Sequence, residues 1–256
     1  MKKFTLFTLI IGFFSIISCG DDDKNTEATF GTVELNFTNT IDNAPIELNN
    51  TSYINGSAES YTISELKYIV SNIVLISDDG SEFVYPVAES YFVVNEEIET
   101  SKKITLTDVP SGTYTKIQYG IGVDQSNYPL NDVNDFIPTA DENGMLWSWS
   151  AGYKFLKFEG TYTPEGGSPA DFIIHVGSHG ATLDNYKELT LNLSDALQIK
   201  ETSSSEIMIN ADVAKIFDSA NTHSLTVKSD IQVDPVNAPK IAENVQTMFT
   251  ISNVSN

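Results

Sequence analysis

From Gly31 the chain alternates apolar and polar residues, with Val33, Leu35 and Phe37 on one side and Thr32, Glu34, Asn36 and Thr38 on the other. That period of two predicts a half-buried antiparallel strand. The run 68–76 is almost continuously apolar and β-branched, which predicts a central strand, and Asp78-Asp79-Gly80 closes it with hairpin chemistry. Just before it, Ser64-Glu65-Leu66 reads as one helical turn. Shorter strands are predicted at 82–87, 90–94 and 103–106, then a longer one at 113–123 in which Gly120 and Gly122 mark a bulge or a close backbone approach. After a polar loop over 124–143, strands recur at 154–163, 171–177, 188–193 and 206–211. Helical patterns are confined to 211–219 and to 238–249, where Ile241, Val245, Met248 and Phe249 form a stripe. Many short strands without a βαβ rhythm predict an all-β fold: an antiparallel β-sandwich with long loops and one or two short helices near the C-terminus.

The first residues change the picture of where this sandwich resides. Met-Lys-Lys is followed by an apolar run over 4–17 and then Ser18-Cys19, the pattern of a secretory signal. Ile16-Ile17-Ser18-Cys19 resembles a lipobox, so residues 1–18 are expected to be removed and Cys19 lipidated. Residues 19–30, beginning Cys-Gly-Asp-Asp-Asp-Lys, then form an acidic tether, and 31–256 a single domain. The expected location is the bacterial cell envelope, anchored by lipid to the outer membrane and facing either the periplasm or the surface. Cys19 is the sole cysteine, which excludes a disulfide or a thiolate metal site from the mature domain. Removing residues 1–18 leaves 238 residues and takes away two lysines, giving a net charge of −23. The chain has no arginine, and that composition argues against nucleic acid as a partner.

Candidate chemistry gathers in two stretches. Both tryptophans lie in M-L-W-S-W-S-A-G-Y-K-F, where strand alternation would set Met145, Trp147 and Trp149 on one face. Two of the three histidines lie in F-I-I-H-V-G-S-H-G, where Phe172, Ile174 and Val176 form the core side and His175 points the other way. The two stretches are expected to meet. An indole pair admits three readings: core packing, a platform on which a sugar ring stacks, and the wall of a metal or redox site. On the second reading, Trp147, Trp149 and Tyr153 would serve a cell-surface module that binds glycan or protein. On the third, imidazole with thioether and aromatic neighbours and no thiolate suits copper better than calcium or magnesium. No Ser/His/Asp spacing, catalytic cysteine or H-E-x-x-H motif is present, so an enzyme is not expected.

Several motifs together bear a family likeness: E-L-K-Y-I-V-S-N-I-V-L at 65–75, V-P-S-G-T-Y at 109–114, I-G-V-D at 121–124, G-M-L-W-S-W-S-A-G-Y-K-F at 144–155, F-E-G at 158–160 and H-V-G at 175–177. They resemble the MbnP-like copper-binding family over about 31–249. The resemblance implies an extracytoplasmic β-sandwich that binds copper through histidine beside a tryptophan, which a di-haem peroxidase-like partner enzyme oxidises to kynurenine. It makes His175 the expected ligand, and Trp147 or Trp149 its neighbour or the modified residue. His179 joins the candidate metal ligands by proximity alone. For Asp124 a turn cap is expected, and for Glu159 a strand-end hydrogen bond.

Overall fold

The alternating run forms β1 (Phe30–Ile41), with Val33, Leu35 and Phe37 buried and the residues between them half-buried. The structure, a computed structural model, describes residues 28–124, 136–148, 152–164, 166–179 and 183–256, with Ser148 by its backbone alone. Cys19, the leader, the tether up to residue 27 and Trp149 therefore lie outside the described residues, while Phe30, expected in the tether, opens β1. After β1 come β2 (Ala44–Pro45), β3 (Ser52–Ile54), β4 (Ser60–Ser77), β5 (Glu82–Val84), β6 (Tyr91–Asn95), β7 (Lys103–Pro110) and β8 (Gly112–Ile121). Helix α1 (Phe136–Glu142) precedes β9 (Leu146–Ser148), β10 (Gly152–Thr163), β11 (Ala170–Gly177), β12 (Lys187–Ile199), β13 (Ser204–Asp212) and β14 (Asp230–Ile231). Helix α2 (Ala238–Gln246) and β15 (Phe249–Ser255) complete the chain.

Local expectation and structure part at five places, the first being that the helix expected over 238–249 ends at Gln246 and Phe249 opens β15. β4 runs straight through Ser64-Glu65-Leu66, because Glu65 and Leu66 pair with Glu159 and Phe158 and the ladder overrides one turn of helix propensity. β5 stops short of Pro86, which has no N–H for a ladder, and a 3-10 turn follows at Val87–Glu89. The expected helix over 211–219 shrinks to a 3-10 turn, Val213–Ile216, because residues up to Asp212 belong to β13. α1 arises inside the expected loop: Phe136 and Ala140, one helical turn apart, are both buried, and Pro138 falls in the first turn, where its missing N–H costs nothing.

Among the described residues the strands form two sheets. The smaller has the order β15-β13-β1-β2, with β7 also paired to β1; the larger has the order β12-β8-β4-β10-β11-β14, with β3, β5 and β6 on β4 and β9 on β10. Pairing is antiparallel except at β1–β13 and β11–β14. The parallel β1–β13 contact joins Val33 to Ser205 and Phe37 to Ile209, a pairing that no local pattern announces.

The sheets enclose the main core. Its centre is an aromatic cluster in which Tyr61, Phe158, Phe172 and Phe217 stand 5.2 to 6.4 Å apart between ring centroids. A second, smaller core covers part of the other face of the large sheet. Ile69, Tyr153 and Phe155 contribute to it, while Tyr68, Val70, Leu156 and Phe158 turn to the main core. α1 supplies Phe136 and Ala140 to the second core, so one end of the large sheet is buried on both faces.

A buried carboxylate ties the C-terminal loops to the sandwich. Glu59 accepts hydrogen bonds from Asn55 Nδ2 (2.7 Å), Ser224 Oγ (2.8 Å), Leu225 N (2.8 Å) and Thr226 N (2.7 Å). Burial alone would raise its pKa, but bonds from Asn55, Thr226 and Ser224 outweigh it and hold the carboxyl at about 2. A folded pKa below the unfolded one gives stability that is present above about pH 4.5 and lost as pH falls through about 2. Thermal unfolding of Glu59→Gln is therefore expected to depend less on pH than that of the wild type over this acid range. Parallel melting-temperature profiles would contradict the assignment.

Candidate metal centre

The site begins where α1 ends. Gly144 N–H donates to the Asp141 carbonyl and Met145 N–H to the Ala140 carbonyl, and Gly144 has φ +67°, the geometry of a Schellman cap. Two lysines satisfy the remaining carbonyls: Lys67 Nζ donates to Asn143 O (3.4 Å) and Lys154 Nζ to Gly144 O (3.1 Å). Cations at a helix C-terminus also oppose the negative end of its dipole. The cap delivers the chain to β9, which pairs with the start of β10 through Gly152↔Ser148 and Tyr153↔Leu146.

Met145 belongs to the cap and not to the strand, so alternation starts one residue later than the sequence suggests. Met145 and Leu146 both pack in the second core, and Trp147 is directed elsewhere. Its ring lies 5.8 Å from the His175 ring at 61°, and 6.4 Å from the His179 ring at 73°. The tryptophan stretch and the histidine stretch do meet, and both imidazoles stand at one indole. His223 is engaged elsewhere: it stacks on Phe217 (6.0 Å, 23°), and its Nε2 reaches the Lys228 carbonyl at 2.8 Å.

β10 and β11 set the position of His175. A side chain on Gly177 would run into the Tyr153 carbonyl, so glycine is what lets the end of β11 lie against the start of β10. His175 points away from the main core, as its neighbours predict, yet it is only 7% exposed because that face too is covered. His179 follows in an isolated bridge with Leu183.

Around His175 the outer face of the large sheet carries a chain of charges. Lys67 pairs with Glu65 (2.5 Å), Glu65 with Lys157 (2.9 Å), Lys157 with Glu159 (3.5 Å) and Glu159 Oε1 with His175 Nε2 (2.6 Å). Burial would raise the Glu65 pKa, but hydrogen bonds from Lys67 and Lys157 bring it below the usual value. Burial pushes the His175 pKa below its ordinary value; the Glu159 hydrogen bond opposes this, and the Lys154 and Lys157 charges add to it. The imidazole is accordingly neutral near pH 7. Lys154 also has a lowered pKa, through burial first and then repulsion from Lys157.

With Nε2 engaged by a carboxylate, His175 Nδ1 is left buried and without a hydrogen-bond partner. The Trp147 Nε1 is in the same condition. A buried lone pair on an imidazole whose other nitrogen is held by a carboxylate is the arrangement of a metal-ligating histidine and its outer support. Among the described residues no group of three or more His, Cys, Asp and Glu side chains converges as a metal cage.

Sequence reasoning expected a strand-end hydrogen bond for Glu159 and found no role for Glu65, Lys67, Lys154 or Lys157. The signal was present: charged residues recur in E-L-K and Y-K-F-L-K-F-E inside strands too apolar to be surface-exposed. Tyr153 does not serve as part of an exposed stacking platform; it is 3% exposed and stacks on Phe136 at 5.8 Å. Asp124 accepts a hydrogen bond from Asn72 Nδ2 at 2.5 Å.

The sequence profile of the MbnP family matches residues 30–238. No curated protein gives a significant sequence match. Among solved structures, MbnP from Methylosinus trichosporium is similar at 11% identity and a TM-score of 0.49, covering 83% of this chain and 87% of that one.

Proposed function

Because the chain belongs to the MbnP family, whose members are copper-handling, non-catalytic and typically extracytoplasmic proteins, we propose that it captures copper at His175 beside Trp147. The observation that carries this reading is the buried, unpartnered Nδ1 of His175 behind the Glu159–Nε2 contact. Glu159 fixes the tautomer that leaves Nδ1 as a donor lone pair and raises its basicity. Burial keeps the ring neutral, so a metal ion does not have to displace a proton near pH 7. His179, at the same indole, is the second donor on this reading. Two imidazoles satisfy monovalent copper, which accepts low coordination numbers, and the apolar indole disfavours ions of higher charge.

On the same reading Trp147 is available for oxidation to kynurenine by a di-haem peroxidase-like partner, since its ring touches both imidazoles. Lipidation at Cys19 would hold the domain at the outer membrane, where copper is captured before it enters the cell. No helix among the described residues is long and apolar enough to cross a membrane.

Titrating the lipid-free domain with Cu(I) under reducing conditions, against a chromophoric chelator, tests the proposal. One ion per chain is expected, and Glu159→Gln is expected to bind it about 10- to 100-fold more weakly, the usual consequence of losing an outer carboxylate. Absence of Cu(I) binding in the wild type would sink the proposal. Equal affinity in the two proteins would remove Glu159 from it.

A further inference from the structure

Three lysines face the histidine end of the large sheet, and they differ in how their charge is compensated. Lys67 and Lys157 both pair with Glu65, and Lys157 also approaches Glu159. Lys154, by contrast, forms no ion pair with a carboxylate among the described residues. Its Nζ is held by the Gly144 carbonyl and sits 5.4 Å from the centroid of the Trp147 ring, on β10 directly opposite Gly177. Trp147 in turn touches His175 and His179. A positive charge thus stands one ring away from both imidazoles, at a half-buried position.

We propose that Lys154 is the residue that makes this site select a monovalent over a divalent ion. The inference rests on the copper reading given above. Repulsion between a fixed ammonium and a bound ion scales with the ion's charge, so a divalent ion is penalised twice as much as a monovalent one. The cation–π contact and the Gly144 carbonyl hold the ammonium in place, and it cannot swing away from an incoming cation at no cost. Glu65 and Glu159 temper the field of Lys154, but both are engaged by Lys67, Lys157 or His175, and two carboxylates against three ammoniums leave the cluster positive.

The expected size is roughly tenfold in affinity per unit of ionic charge. Lys154→Met keeps a long side chain over the indole and removes the charge; Lys154→Arg keeps the charge. Affinities for Cu(I), Ag(I) and Zn(II), the last two being redox-inert probes, are measured for the three proteins by chelator competition. Lys154→Met is expected to bind Zn(II) about a hundredfold and the monovalent ions about tenfold more tightly than wild type, so that selectivity falls about tenfold. Lys154→Arg is expected to retain the wild-type ratio. A purely structural role for Lys154 would change all three affinities by the same factor in Lys154→Met, and that result would overturn the inference while leaving the copper site standing. A wild type that binds no Cu(I) would overturn both.

Discussion

Replacing His175 by alanine is expected to abolish Cu(I) binding, with an affinity loss beyond the roughly hundredfold limit seen when an outer partner is removed. Two features of the site make the effect so large. The side chain supplies a buried imidazole nitrogen that lacks a partner, and it shares the indole wall with the His179 imidazole. Losing either donor leaves one, which does not compete with water or a buffer chelator. The substitution also strips Glu159 of its partner, so a His175→Gln variant is the matched control. The glutamine amide reaches toward Glu159 and fills much of the ring volume, but it is a poor ligand for a soft ion. Both variants are expected to fold, as judged by far-ultraviolet circular dichroism and by melting temperature, and neither is expected to bind Cu(I). Retention of stoichiometric, tight binding by His175→Ala would move the site away from this residue altogether.

Phe158→Ala is expected to destabilise the protein by about 3–5 kcal/mol, the largest single-residue effect on the fold. Phe158 is fully buried and lies 5.2 Å from Phe217, 5.3 Å from Phe172 and 6.4 Å from Tyr61 between centroids. Its removal leaves a cavity bounded by three rings that belong to β4, β11 and the turn after β13, and these elements are too firmly paired to collapse into it. Phe158→Leu, which retains most of the volume, is expected to cost distinctly less. Urea unfolding of the two variants measures the difference. The position also bears on the site: Phe158 sits between Lys157 and Glu159 on β10, so a loosened β10 is expected to weaken copper binding in Phe158→Ala well before unfolding. An equal loss of stability in Phe158→Leu and Phe158→Ala would show that ring geometry, not volume, governs this part of the core.

The alternation of Val33, Leu35 and Phe37, the apolar run in β4 and the turn at Asp78-Asp79-Gly80 determined an all-β chain by themselves, because a side-chain period of two has no other buried solution. The sequence also determined which way His175 points, since Phe172, Ile174 and Val176 claim the core side of β11. It concentrated both tryptophans and two of the three histidines in two stretches of a chain whose family, matched over residues 30–238, handles copper. Tertiary structure alone decided the rest. The parallel pairing of β1 with β13 joins residues 172 positions apart, Thr32 with Ser204, and short-range periodicity carries no record of such a pairing. His175 is buried on a face that alternation would leave to solvent, with the Trp147 ring of β9 against it. That Met145 packs with Leu146 and not on the face of Trp147 follows from the helix cap that precedes the strand. The charges of Glu65, Lys67, Lys154, Lys157 and Glu159 stand along the chain only as polar positions within apolar strands, with nothing to say which of them meet. They become a single electrostatic unit only where β4, β10 and β11 lie side by side, because Coulomb energies depend on distance in space and on the exclusion of water, neither of which a linear sequence displays.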